Sequence, residues 1–309
     1  MNLELVSRAC PICGSREHSS VFAESNVDVA KLDEYAFASR KTPEYMHWRL
    51  LDCARCDLLY ASPAPTGHSL SAAYEEASFD SGTEARYAAA TYAGLLPALK
   101  RRLPNLNGVL DIGTGDGAFL ERLLDAGFSN VSGVEPSSAP IRAASPRARP
   151  LIRRALFRAE DYTPRSFSLI TCFQTIEHLE DPLALARDIE RLLRPGGAAL
   201  FVAHNRRAFS ARILGRRSPI FDIEHLQLFS PVSLRRLFAT AFGDAADVEV
   251  GSVFNKYPIA YWVRLLPFPR SLKHPLISFL RFSGAGSLPV PMPAGNVFTI
   301  AWKARSDAS

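Results

Sequence analysis

Four of the chain's five cysteines fall in two Cys-x-x-Cys pairs, Cys10-Pro11-Ile12-Cys13 and Cys53-Ala54-Arg55-Cys56. Together they can supply four thiolates to one tetrahedral Zn²⁺, and four protein ligands leave no open position, so the expected metal is structural. Gly14, directly after the second thiolate, permits the tight turn in which backbone N–H groups face sulfur. Neither pair opens a helix in a thioredoxin-like pattern, which argues against a redox pair. A second group begins at Asp111 and continues through Gly113, Thr114, Gly115 and Gly117 into a helix expected over Ala118–Ala126. Glycines at such a turn allow positive φ and close approach of the backbone to a ligand, while the helix start offers free N–H groups. Glu135 follows 22 residues after Gly113, where an acid that binds ribose hydroxyls is expected. Three histidines, His178, His204 and His225, complete the set, since imidazole is the natural general base near neutral pH.

These residues require an α/β scaffold of alternating strands and helices. Val109, Leu110 and Ile112 form a strand before the glycine turn, and Phe119, Leu120, Leu123 and Leu124 recur at helical spacing after it. Further strands are expected over 131–134, more weakly over 150–157, and over 167–173, 198–203, 247–254 and 296–303. The stretch 167–173 is almost wholly apolar, as a strand buried on both faces should be, and Cys172 within it is expected in the core. Residues 1–65 read as a small zinc-binding domain ending at Pro63-Ala64-Pro65. The 39 residues between its knuckles are expected to form an inserted strand pair or helix. Residues 66–309 form the larger domain, with a mostly helical lid over 66–105 that includes Tyr74, Tyr87 and Tyr92, and an insertion over 255–295.

The run Asp111-x-Gly113-x-Gly115-x-Gly117 lacks the spacing of a dinucleotide fingerprint and resembles the first motif of class I S-adenosylmethionine (SAM) methyltransferases. Gln174-Thr175-Ile176-Glu177-His178-Leu179 and Leu193-Arg194-Pro195-Gly196-Gly197 resemble two further segments of that family, in the same order. The resemblance implies a Rossmann-like, doubly wound sheet that binds SAM through Asp111, Gly113, Thr114, Gly115 and Gly117, with Glu135 on the ribose. It implies an adenine contact from Glu160 or Asp161, and Gln174 beside the cofactor. Phe167-Ser168 stands where the family usually has Phe-Asp, a mostly structural position.

Glu224-His225-Leu226, followed by Phe229-Ser230, resembles a segment of sugar methyltransferases that also carry a four-cysteine zinc domain. That resemblance implies catalytic roles for Glu224 and His225, with His178 as companion. Asp222 replaces the Tyr of those enzymes, and the chain is too short for their extra C-terminal domain. Methyl transfer to a sugar or another glycan-pathway intermediate is therefore expected, on oxygen ahead of carbon. An RNA base methyltransferase with a zinc motif and a non-catalytic scaffold of the same fold are the alternatives. Each histidine could also serve only in capping or packing.

Charge sharpens the list of partners. From 136 to 159 there is no acid but six arginines, and from 250 to 306 there is no Asp or Glu against seven Lys and Arg. Arg206, Arg207, Arg212, Arg216 and Arg217 add a third basic stretch whose guanidinium forks suit phosphate, so the small-molecule acceptor is expected to be anionic or sugar-linked. Nucleic acid is not the expected partner. The insertion mixes Tyr257, Tyr261, Trp262, Phe268, Phe279 and Phe282 with Lys256, Arg264, Arg270, Lys273 and Arg281, and Pro267, Pro269 and Pro275 should break it into short pieces. Aromatic and basic residues without acids suit peripheral contact with anionic lipid; a dimer surface or a cover over the active site are the competing readings. No apolar run opens the chain and none reaches ~20 residues, so the expected location is the cytoplasm, with membrane association on its cytoplasmic face.

Overall fold

The computed structural model describes residues 4–28, 45–67, 69–70, 82–243, 246–266 and 268–305. Tyr74, and with it part of the expected lid, lies outside these. In the N-terminal part, β1 (Leu5–Val6) pairs with β5 (Ala64–Pro65), while β2 (Ser19–Ala23), β3 (Leu50–Cys53) and β4 (Leu58–Ala61) form an antiparallel sheet. The strand pair expected between the knuckles is β2–β3, with Ser19 opposite Cys53.

Helices α1 (Gly82–Ala93) and α2 (Leu96–Lys100) follow, and then the large sheet begins. Its members are β6 (Asn107–Ile112), β7 (Ser129–Glu135), β8 (Ile152–Arg154), β9 (Phe167–Phe173) and β10 (Leu193–His204). Between them lie α3 (Ala118–Asp125), α4 (Ser138–Ala143) and α5 (Pro182–Leu192). After β10 come α6 (Phe209–Leu214), β11 (Gln227–Leu228), α7 (Pro231–Phe242), β12 (Asp247–Pro258), α8 (Ile259–Leu265), α9 (Arg270–Phe282) and β13 (Pro289–Trp302). The order across the large sheet is β12-β13-β10-β9-β6-β7-β8, with β8 to β10 parallel and β13 antiparallel to both its neighbours. The chain order reverses between β6 and β9. Ligands of open α/β sheets bind outside the carboxyl ends of the strands at that point.

Apolar periodicity explains the two layers. β9 is buried from Phe167 to Cys172, and the Cys172 thiol lies in the core as expected. Ser168, where the family has Asp, donates to the carbonyls of Asn107 (3.0 Å) and Gly108 (3.1 Å), tying β9 to β6 without a charge. Helix α3 lays Phe119, Leu120 and Leu123 against the sheet. Phe173 stacks edge-on to Phe119 with centroids 4.6 Å apart and lies 4.8 Å from Tyr92, which fastens α1 to the carboxyl end of β9. Each such side chain contributes about 1.5–3 kcal/mol by leaving water.

Three expectations about local structure change. The strands at the end of the chain do not stop at 254 and start at 296. Beyond a register shift they continue as a two-stranded arm, from Asn255 opposite Met292 to Pro258 opposite Pro289. The arm carries α8 and α9, and α9 runs through Pro275 instead of breaking there. A proline in the second turn of an exposed helix forfeits one backbone hydrogen bond, which the neighbouring turns tolerate. The N-terminal sheet also draws on the rest of the chain: β11 (Gln227–Leu228) pairs with β4 and completes it.

Candidate functional site

The first motif folds as its glycines dictate. Gly113, Gly115 and Gly117 all have left-handed φ, at 72°, 58° and 73°. A Cβ on Gly113 would stand 2.4 Å from the Thr175 hydroxyl, whereas nothing lies within 4 Å of one on Gly115, where the backbone stays open to a ligand. Asp111 is buried beneath this turn and accepts from Thr114 Oγ1 (2.7 Å) and Thr171 Oγ1 (2.5 Å), so it holds the loop's shape. Burial pushes its carboxyl up to about 6, against those two hydrogen bonds. Glu135 ends β7; its two oxygens accept from the backbone N–H groups of Gly115 (3.0 Å) and Ser137 (2.9 Å). Burial raises the Glu135 pKa as well, and the same N–H groups oppose the rise.

These residues line one end of a cavity of about 810 Å³. Asp111, Gly113, Thr114, Gly115, Glu135 and Gln174 all border it, and Gly117 stands just behind as the N-cap of α3. Leu156 and Phe157 supply an apolar wall on the same side. Glu160 and Asp161 do not reach the cavity: Glu160 is exposed, and Asp161 pairs with Arg153. Gln174 holds a left-handed φ of 49°, unusual for a side chain with a Cβ, at the turn that leaves β9. Such strain is kept where the surrounding structure fixes a functional loop.

The other end of the cavity gathers the histidines. The 3-10 turn Ile176–His178 brings Glu177 and His178, the end of β10 brings His204, and the loop before β11 brings Asp222, Glu224 and His225. The His225 ring lies 5.2 Å from His178 and 4.8 Å from His204, centroid to centroid. Glu177 is fully buried, and its Oε1 accepts from both the backbone N–H (2.6 Å) and Nδ1 (3.0 Å) of His204. A carboxylate partner places the proton on Nδ1 and leaves Nε2 as the basic nitrogen; Gln174 Nε2 lies 3.4 Å from it. His225 Nδ1 likewise faces a carbonyl, that of Ile220 at 2.8 Å, so it donates and leaves Nε2 as an acceptor. Burial opposes ionisation of Glu177, yet the His204 hydrogen bonds outweigh it and hold the carboxyl below the usual range. Burial and the His225 ring push His178 down to about 3, and burial with His204 lowers His225, so both rings stay neutral.

Of the expected catalytic residues, His225, Glu224 and His178 do converge. Glu177 is the one the sequence did not single out, although it adjoins His178. Two elements roof the cavity: α1 with Glu84, Ala88 and Tyr92, and the insertion with Tyr257, Tyr261 and Trp262. Arg264 bridges to Glu84 at 3.4 Å, latching α8 to α1.

The N-terminal segment with the four cysteines supports the histidine end. Trp48 Nε1 donates to the Ile223 carbonyl (2.7 Å), and Arg8 donates to the carbonyls of Leu226 (2.6 Å) and Glu180 (2.8 Å). Arg206 makes a bidentate pair with Asp52 (2.7 and 2.6 Å) and Arg207 pairs with Asp57. Two arginines expected at a phosphate therefore tie the two sheets together. The four thiols meet as the spacing predicted: their sulfurs lie within 4.8 Å of one another, with Cys13 Sγ 3.8 Å from Cys53 Sγ. Four Zn–S bonds of about 2.3 Å at tetrahedral angles require sulfurs about 3.8 Å apart, so Cys10, Cys13, Cys53 and Cys56 fit one Zn²⁺.

Comparison with known proteins agrees with this geometry. Residues 84–243, more than half of the chain, match the family described as "Methyltransferase domain". The ubiquinone biosynthesis O-methyltransferase of Thiobacillus denitrificans is 33% identical over 166 residues, covering 50% of this chain and 71% of that protein. The protein of that name from Aeromonas salmonicida is 28% identical over 46% of this chain and 63% of its own length. Among solved structures, phosphoethanolamine N-methyltransferase 2 of Haemonchus contortus, in complex with SAM, is 20% identical over 69% of this chain and 52% of that one, with a TM-score of 0.43. The chain belongs to the methyltransferase-domain family and is a SAM-dependent methyltransferase.

Proposed function

We propose that the chain methylates a hydroxyl oxygen of a small polar acceptor, with His204 as general base and Glu177 as the residue that orients it. The observation that carries this reading is the pairing of buried Glu177 with half-buried His204 at the end of one cavity whose other end is the glycine turn and Glu135. When bound, SAM supplies a methyl group on a sulfonium, and displacement returns the S–C electron pair to sulfur. The glycine turn and Glu135 hold the cofactor's polar parts, and the apolar wall of Leu156 and Phe157 suits its adenine. His204 Nε2 takes the proton of the attacking hydroxyl, and the Glu177 carboxylate offsets the charge that then forms on the imidazole. Neutral His178 and His225, with Glu224 and Asp222, hold the acceptor by hydrogen bonds, while Tyr257, Tyr261 and Trp262 exclude water above it. Positioning and a matched base are what such a displacement requires.

The relatives named above as O-methyltransferases support oxygen as the receiving atom. A sugar or glycan-pathway intermediate suits the acidic pair Asp222 and Glu224 beneath aromatic rings. The apolar part of the roof, with Val263, Leu266 and Met292, favours a second reading in which the hydroxyl sits on a largely apolar ring. Screening sugar-linked and phenolic acceptors with labelled SAM, using wild type and His204→Asn, tests both. Transfer to oxygen that falls at least about a hundredfold in the variant is expected. Transfer that is unchanged in the variant would remove His204 from the reaction.

A further inference from the structure

Two elements next to the cavity lining turn apolar side chains toward solvent: α6, which contributes to the lining, and α9, which packs on the lining helix α8. Helix α6 lends Ser210 and Leu214 to the lining while Phe209 (73% exposed) and Ile213 (65%) face outward. The insertion lends Leu265, Leu266 and Met292 to the lining. Its helix α9 packs inward through half-buried residues 273, 277 and 280, and outward it presents Leu272, Leu276 and Phe279, spaced four and three apart on one face, with Phe282 (93%) beyond. A folded chain rarely leaves so many large apolar groups exposed on helices that line a cavity or pack on its lining without a partner.

The charge around them selects that partner. Residues 250–306 contain no Asp or Glu, and Arg212, Arg216, Arg217 and Arg281 form no ion pair among the described residues. A two-fold dimer through this face would set the basic rim against itself. Anionic head groups complement it, and acyl chains accept the aromatic and aliphatic residues.

We propose that α6 and α9 form a docking surface for an anionic lipid bilayer, which sets the mouth of the cavity against the membrane. The surface serves the site of the proposed methyl transfer and rests on that reading for its purpose. The test is flotation of the full-length, zinc-loaded protein with vesicles of phosphatidylcholine containing phosphatidylglycerol, and with phosphatidylcholine alone. SAM binding is measured in parallel by calorimetry. The protein is expected to float with the anionic vesicles. Phe279→Glu/Phe282→Glu, at exposed positions, should lower the bound fraction about tenfold or more without changing SAM affinity. Phe282→Trp should show emission quenched by brominated lipid.

Protein that binds SAM but floats with neither vesicle would overturn the docking surface and leave the cofactor site standing. Protein that floats but binds no SAM would do the reverse. Flotation that the paired Phe→Glu change does not affect would also overturn the proposal. So would a concentration-dependent dimer that this change dissolves, with no vesicle binding, since a second copy would then cover the face.

Discussion

Replacing Glu177 by glutamine tests the proposed base pair most sharply, because the side chain keeps its shape and loses only its charge. In the wild type one carboxylate oxygen accepts from His204 Nδ1 at 3.0 Å and from its backbone N–H at 2.6 Å. Once Nε2 takes a proton, a full positive charge faces the carboxylate across that distance. Coulomb's law with an effective dielectric of about 20 gives ~5 kcal/mol for unit charges so placed. The glutamine carbonyl still accepts from Nδ1–H and recovers about 1 kcal/mol of this. About 3–4 kcal/mol of transition-state stabilisation should therefore go, a fall in kcat of roughly 100- to 1,000-fold. Binding of SAM should stay the same, because Glu177 is absent from the cavity lining. The assay is release of S-adenosylhomocysteine on the best acceptor from the screen, with calorimetry of SAM alongside. A kcat within about threefold of wild type, with SAM affinity intact, would refute the argument, since a base with a lost counter-charge cannot be that insensitive.

Other perturbations have equally definite outcomes. Trp48→Phe removes the hydrogen bond to the Ile223 carbonyl, worth about 1 kcal/mol; KM for the acceptor should rise roughly fivefold with SAM affinity unchanged, read from steady-state kinetics. Elemental analysis should find about one zinc per chain, and Cys53→Ser should release it and lower the melting temperature, because the thiolate set closes the β2–β3–β4 sheet. Acid should destabilise the fold in two windows. His178 has its folded pKa lowered to about 3, so below its unfolded value of ~6.5 the unfolded chain binds a proton that the folded chain refuses, costing about 2 kcal/mol near pH 5. Glu177 has its folded pKa lowered, so its contribution is full above ~4.5 and is lost as pH falls through the folded value. Denaturant melts of the wild type beside His178→Asn between about pH 8 and pH 3 check both, because the comparison cancels the opposite contribution of Asp111, whose folded pKa is raised to about 6. Identical profiles of the two proteins across ~6.5 to 5 would contradict the neutral state of the His178 ring.

Much of the fold was legible because it rests on local patterns. Alternation of apolar runs and glycine turns marked β6, β7 and β9, and the left-handed φ of Gly113, Gly115 and Gly117 explains why glycine is favoured there. The cysteine spacing located the metal site because four ligands must converge. Legibility failed where the deciding contact is remote in sequence. Glu177 and His178 are adjacent, and only the fold shows that Glu177 turns back to His204 at the end of another strand. Arg206 and Arg207 read as phosphate ligands until the zinc-domain carboxylates of Asp52 and Asp57 came to face them. Acidity near the right strand was too weak a signal for Glu160 and Asp161, which the short 3-10 turn Ala159–Asp161 carries away from the cavity. The prolines of the insertion suggested fragments, and the chain does break before Pro269, between α8 and α9, whereas Pro275 is absorbed inside α9.

The most direct test of the account is calorimetric titration of the zinc-loaded protein with SAM and with S-adenosylhomocysteine, beside Glu135→Ala. Glu135 has both oxygens aligned by backbone N–H groups at the cavity wall, where we propose that it holds the cofactor, so its removal should weaken SAM binding and leave the fold in place. Micromolar binding of both ligands to the wild type, weakened at least about tenfold in the variant, is the predicted result. No binding by the folded, zinc-loaded wild type, or equal binding by the variant, would contradict it.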